Sequence, residues 1–134
     1  MKSVHLTKTL LLIPILFFFM LTCSGQDNAV TSLVGKWVKT TDEVSASFVI
    51  SSDNKWEVEF TGDDETDVYG SCVISGTKIT FNDEGGQYSS EEPGVYEFKV
   101  SATSLTFTQV NDPVYGRSML VAGTWTKADA TLKE

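Results

Sequence analysis

A chain of 134 residues, 41% hydrophobic and 11% aromatic, has room for one packed domain and little more. Its formal charge of −8 comes from 18 acidic against 10 basic residues, with no run of Lys or Arg. Such a surface repels phosphate backbones and anionic headgroups, which excludes nucleic acid as a partner and a membrane surface as an electrostatic dock.

The chain begins with Lys2 and Lys8, an apolar run from Leu10 to Leu21 and then Thr22-Cys23-Ser24-Gly25. A basic start, a short apolar middle and small residues at the end make a secretory signal. The run is interrupted by Pro14 and falls short of the about 20 apolar residues that a membrane-spanning helix needs. Residues 1–22 are thus expected to be a signal peptide. Losing Lys2 and Lys8 with it leaves 8 basic against 18 acidic residues, a charge of −10. Met20-Leu21-Thr22-Cys23 resembles the lipobox of bacterial lipoproteins, with Thr22 where Gly, Ala or Ser is usual. The resemblance implies acylation of Cys23, a membrane anchor and an address in the cell envelope. Ordinary cleavage after Gly25, giving a soluble exported protein, is the alternative. Residues 23–32 are small and polar and read as a tether.

Eight candidate strands follow in residues 33–127. The first is Leu33 to Thr40, containing Gly35-Lys36-Trp37. Val44 to Ile50 sets Val44, Ala46, Phe48 and Ile50 on one face, and Trp56 to Phe60 alternates apolar with Glu57 and Glu59. A period of two marks half-buried antiparallel strands. Beyond the acidic loop Gly62 to Asp67 come Val68 to Ser75, a tight Gly76-Thr77 connection and Lys78 to Phe81. Asn82 to Pro93 is the longest loop. Gly94 to Val100 and Leu105 to Val110 follow, and Asn111-Asp112-Pro113 breaks the latter. Met119 to Lys127 closes the domain with Gly123-Thr124-Trp125, an echo of the first strand, and residues 128–134 form a tail.

Short strands at this spacing, with turns between them, predict an all-β domain: a single antiparallel eight-stranded up-and-down barrel. A β-sandwich is the alternative, with residues 82–93 as its crossover. Cys72 lies in an alternating strand and reads as a small buried hydrophobe.

Gly35-x-Trp37, with Gly94, Tyr96 and Phe98, then Leu105 to Thr108, Asp112, Arg117 and Gly123-Thr124-Trp125, resembles lipocalin-like lipoproteins of the calycin group. The resemblance spans most of residues 33–127. It implies a lipocalin-like barrel, smaller than in the longer secreted lipocalins, whose first-strand tryptophan packs beneath a basic side chain near the last strand. Arg117 is the single arginine and sits just before that strand. The expected closure set is therefore Gly35, Trp37, Arg117 and Trp125, with a guanidinium stacked on Trp37. The alternative leaves Arg117 as a solvated loop charge.

No catalytic residues are expected. The lone histidine, His5, lies in the signal, which removes the commonest general base and zinc ligand. The tract Gly62 to Asp67 offers oxygen ligands, but Val68 stands where a calcium loop of the EF-hand type needs glycine. No metal, cofactor or enzymatic activity is expected, and the domain reads as a monomer. What remains is binding through the barrel mouth, with Phe48, Trp56, Phe60, Phe81, Tyr96, Phe98 and Phe107 as candidate lining for a small apolar or amphipathic ligand. An eight-stranded barrel is just wide enough to hold one small ligand or to fill with side chains. In the filled case the domain is instead a solid-core interaction module or inhibitor.

Overall fold

The computed structural model describes residues 30–128; the signal, Cys23 and residues 129–134 lie outside them. Eight strands occur in chain order: β1 Gly35–Thr40, β2 Ser45–Ile50, β3 Lys55–Glu59, β4 Val68–Ser75, β5 Lys78–Gly85, β6 Gly94–Val100, β7 Ser104–Asn111 and β8 Gly123–Lys127. Each pairs antiparallel with the next, and β1 pairs with β8, closing the barrel. The chain is an up-and-down barrel, not a sandwich.

The period-two pattern explains the closure. Along β2, Ala46, Phe48 and Ile50 are buried while Ser45 is exposed; along β4, Val68, Gly70, Cys72 and Ile74 alternate inward. One hydrophobic face per strand, wrapped on itself, leaves no open edge among eight strands. The middle of the barrel is filled by aromatic rings. Phe48 is the hub, with its ring centroid 5.5 Å from Phe81, 5.5 Å from Trp125, 5.8 Å from Trp56 and 5.9 Å from Phe107. Phe81 in turn lies 5.8 Å from Tyr96 and 5.6 Å from Phe107. Most of these pairs are tilted or edge-on, the arrangement the ring quadrupole favours.

The two echoing strands meet at the seam, and each position of the shared pattern Gly-x-Trp-x-Lys has a task there. Trp37 and Trp125 are both fully buried. Each indole N–H donates to the carbonyl four residues earlier, Trp37 to Leu33 and Trp125 to Val121, both at 2.9 Å. Lys127 Nζ sits 4.3 Å from the Trp37 ring centroid, and Lys39 Nζ sits 5.4 Å from that of Trp125. The clasp is reciprocal: each strand's lysine covers the other strand's tryptophan. The glycines make room for it. A Cβ on Gly35 would lie 2.5 Å from Lys127 Nζ, and Gly35 and Gly123 adopt φ of 137° and 104°, which side chains rarely tolerate.

Three expectations require correction here. The base over Trp37 is Lys127, not Arg117, because Arg117 is held elsewhere by two carboxylates. The segment from Met119 is not strand at its start: Tyr115–Val121 forms a helix, α1, and β8 begins at Gly123. Seven residues are too short for a helical period to stand out, and tertiary contacts hold this one. β5 also runs on through Asn82 to Gly85, which read as loop, because these residues pair with Ser71, Gly70 and Tyr69 of β4 across a bulge, and Asp83 is held by Arg117.

Candidate functional site: an apolar cavity under a short helix

The barrel has two unlike ends. At the lower end the connections are short, residues 51–54, 76–77 and 101–103. There the helical residues 30–33 bring Leu33, fully buried, against the core. At the upper end lie residues 41–44, 60–67, 86–93 and the α1 connection 112–122. Between the aromatic plug and these upper loops is a cavity of about 590 Å³, within the range of small-molecule sites. Its walls come from Ala46 on β2, Trp56 and Val58 on β3, Phe60 and Val68 around the acidic loop, and Leu120 and Val121 on α1. Val44, Tyr88 and Met119 complete the apolar rim. Tyr88 packs on Phe60 with ring centroids 5.0 Å apart.

Of the seven aromatic side chains expected to line a cavity, Trp56 and Phe60 do so. Phe48, Phe81, Tyr96 and Phe107 pack on one another in the plug, and Phe98 is buried in the same core without lining the cavity. The interior is thus filled below and hollow above. Ala46 and Val58 share the inward face with Phe48 and Trp56, and their small size is what opens the space. Small size at an inward position was the signal available in the sequence. Tyr88 and α1 had no such signal, since both lie in segments without period.

α1 is fixed at both ends by charge. Arg117 donates from Nε to Asp112 Oδ2 at 2.8 Å, from Nη1 to Asp83 Oδ1 at 2.9 Å, and from Nη2 to Asp112 Oδ1 and the Glu92 carbonyl. Tyr96 donates its hydroxyl to Asp112 Oδ2. These groups are nearly inaccessible, with side-chain exposures of 7%, 2% and 0% for Arg117, Asp83 and Asp112. Burial alone would raise the Asp112 pKa, yet bonds from Arg117, Tyr96 and the Val114 N–H hold it below the usual carboxylate value. Burial, followed by the Asp112 carboxylate, pushes the Tyr96 phenol far up. At the other end Lys39 Nζ donates to the carbonyls of Leu120 at 3.0 Å and Ala122 at 2.6 Å. These are terminal carbonyls that a helix leaves without partners. Burial draws the Lys39 ammonium pKa down. Among the described residues no buried side-chain nitrogen or oxygen lacks a hydrogen-bond partner.

Three of the four upper connections carry one sign of charge. Residues 41–44 hold Asp42 and Glu43, residues 60–67 hold Asp63, Asp64 and Glu65, and residues 86–93 hold Glu91 and Glu92, all exposed. None of these three loops contains Lys or Arg, and the lower loops contain one carboxylate, Asp53. Asp67 is different: it is buried and accepts from the N–H groups of Phe60 and Thr61, at 2.7 and 3.0 Å, closing the acidic loop on itself. No group of three or more metal-ligating side chains forms among the described residues. Cys72 is a buried free thiol on β4, its pKa raised to about 11 by burial, then by Asp53.

No protein-family model matches the chain, and no curated protein and no solved structure is significantly similar to it.

Proposed function

We propose that the chain is a lipocalin-like, lipid-anchored domain of the cell envelope that holds one small apolar or amphipathic molecule in the upper cavity and performs no catalysis. The observation that carries this reading is the cavity itself: about 590 Å³, walled mainly by aliphatic and aromatic side chains, at one end of a closed barrel. Burial of apolar surface contributes roughly 25 cal/mol per Å², so a ligand filling such a space gains affinity without any specific polar contact. The Gly-x-Trp seam and the eight-stranded closure support the likeness to lipocalins. The lipobox-like Met20 to Cys23 supports the anchor.

The alternative, a solid-core interaction module, is less well supported, since the upper half of the barrel is hollow. Native mass spectrometry of the protein purified from its producing host tests the binding reading. A co-purifying small molecule, released by denaturation and absent after delipidation, is expected. A ligand-free spectrum combined with no uptake of a hydrophobic dye would end it. For the anchor, Cys23→Ser is expected to move the protein from the membrane to the soluble fraction; retention in the membrane would refute acylation.

A further inference from the structure

We infer that the cavity is built for a cationic amphiphile, an apolar body carrying an amine or quaternary ammonium head, and against the carboxylate-headed equivalent. This rests on the reading that the cavity binds an apolar ligand, and adds the charge of the head group. Three observations carry it.

First, both bases in the lining are already engaged. Arg117 is held by Asp83, Asp112 and the Glu92 carbonyl, and Lys39 by two carbonyls of the α1 terminus and the face of Trp125. An anionic head has to break one of these sets to gain a partner, and breaking the first exposes buried carboxylates to each other. Second, the cavity wall next to the acidic loop is aromatic. Phe60 and Tyr88 form a pair there, with Trp56 deeper in the same lining. Aromatic faces attract alkylammonium heads and repel a carboxylate; the one donor of the pair is the neutral Tyr88 hydroxyl. Third, the three upper loops around that wall present seven exposed carboxylates and no base, whereas the lower loops present one carboxylate. A field of one sign at the mouth of a low-dielectric cleft concentrates ligands of the opposite sign. The site is the cavity; the loops decide which charge enters it.

The test uses three probes of one chain length below their micellar concentrations: dodecyltrimethylammonium, dodecanol and dodecanoate. Each displaces the neutral dye N-phenyl-1-naphthylamine from the purified full-length chain. At about 20 mM salt the ammonium probe is expected to bind at least about tenfold more tightly than dodecanoate, with dodecanol between them. At about 0.5 M salt, where screening shortens to a few ångströms, the gap should close to about threefold. The triple variant Asp63→Asn, Asp64→Asn, Glu65→Gln changes only exposed loop positions and keeps the oxygen that accepts the Glu65 N–H. It should narrow the low-salt gap by about threefold and leave dodecanol unchanged.

Dodecanoate binding as tightly as the ammonium probe, and weakened by Lys39→Met, would overturn the inference and make Lys39 the head-group anchor. Equal binding of all three probes would overturn it and leave the apolar-ligand reading standing. If none of the three displaces the dye, or the dye itself does not bind, the apolar-ligand reading falls, and the inference with it.

Discussion

Replacing Lys127 with methionine isolates the barrel seam, because methionine keeps the apolar stem and removes the charge. Lys127 Nζ lies 4.3 Å from the Trp37 ring centroid and donates to the Val34 carbonyl at 2.7 Å. A half-desolvated cation over an indole is worth about 1 kcal/mol. A charged hydrogen bond to a half-exposed carbonyl, which regains water when released, adds about another 1 kcal/mol. The expected loss is therefore about 2 kcal/mol, read as a lower urea midpoint with unchanged slope. A double-mutant cycle with Trp37→Leu should give a coupling of about 1 kcal/mol between positions 37 and 127. The same cycle between Trp37→Leu and Arg117→Met should be additive within about 0.5 kcal/mol, since Arg117 is bonded to Asp83, Asp112 and Glu92. A cost below about 0.5 kcal/mol for Lys127→Met, or strong coupling of Trp37 to Arg117, would refute the reciprocal clasp.

Other consequences concern the lid helix, the buried acid and the thiol. Lys39→Met removes two bonds to the α1 terminus. Amide exchange of Ala122 and of α1 should then quicken by about tenfold or more, while exchange in β4 and β5 is unchanged. Arg117→Met strands Asp83 and Asp112 in the interior and should cost about 3–5 kcal/mol in a urea titration, more than either seam lysine. Asp112 has a folded pKa below its ordinary 3.8. Its stabilisation is therefore complete above that value and is lost as the pH falls through the lower folded one. Asp112→Asn should lower stability at neutral pH and flatten the acid limb of a stability profile; an unaltered limb would show that Asp112 is not held ionised. Cys72, with a pKa raised to about 11, should resist a thiol reagent at pH 8 in the native protein and react promptly in urea.

The strands were legible because several, β2, β3 and β6 above all, carry a period of two, and every connection except Ser101 to Thr103 carries Gly, Asn, Asp or Pro. The seam was half legible. The repeated Gly-x-Trp marks two strands that meet, and the lysine two residues beyond each tryptophan is present in the sequence. Which base lies over which ring depends on register across the closure, where Trp37 stands opposite Lys127, and register between chain ends has no local signal. Arg117 lies near the last strand in sequence but not at the seam, because the buried carboxylates of Asp83 and Asp112 hold it at the first turn of α1, at the upper end of the barrel. The helix itself was hidden by its length. The division of the interior was also hidden, because Phe48 and Trp56 are both inward aromatics in adjacent strands. Trp56, opposite Ile50 and so nearer the lower end than Phe48, packs on the plug and still lines the cavity, which the inward pattern alone does not reveal. The small residues Ala46 and Val58, not the aromatics, mark the hollow.

The central claim is that the upper cavity takes up an apolar molecule, and it is tested most directly by titrating N-phenyl-1-naphthylamine into the wild-type protein and into Ala46→Phe. Ala46 lines the cavity and is 3% exposed, so a phenyl ring there projects into the hollow. Saturable binding at one dye per chain in the wild type, weakened more than about tenfold in the plugged variant while its urea midpoint stays or rises, is the predicted result. Equal dye binding by both proteins, or by neither, would contradict it.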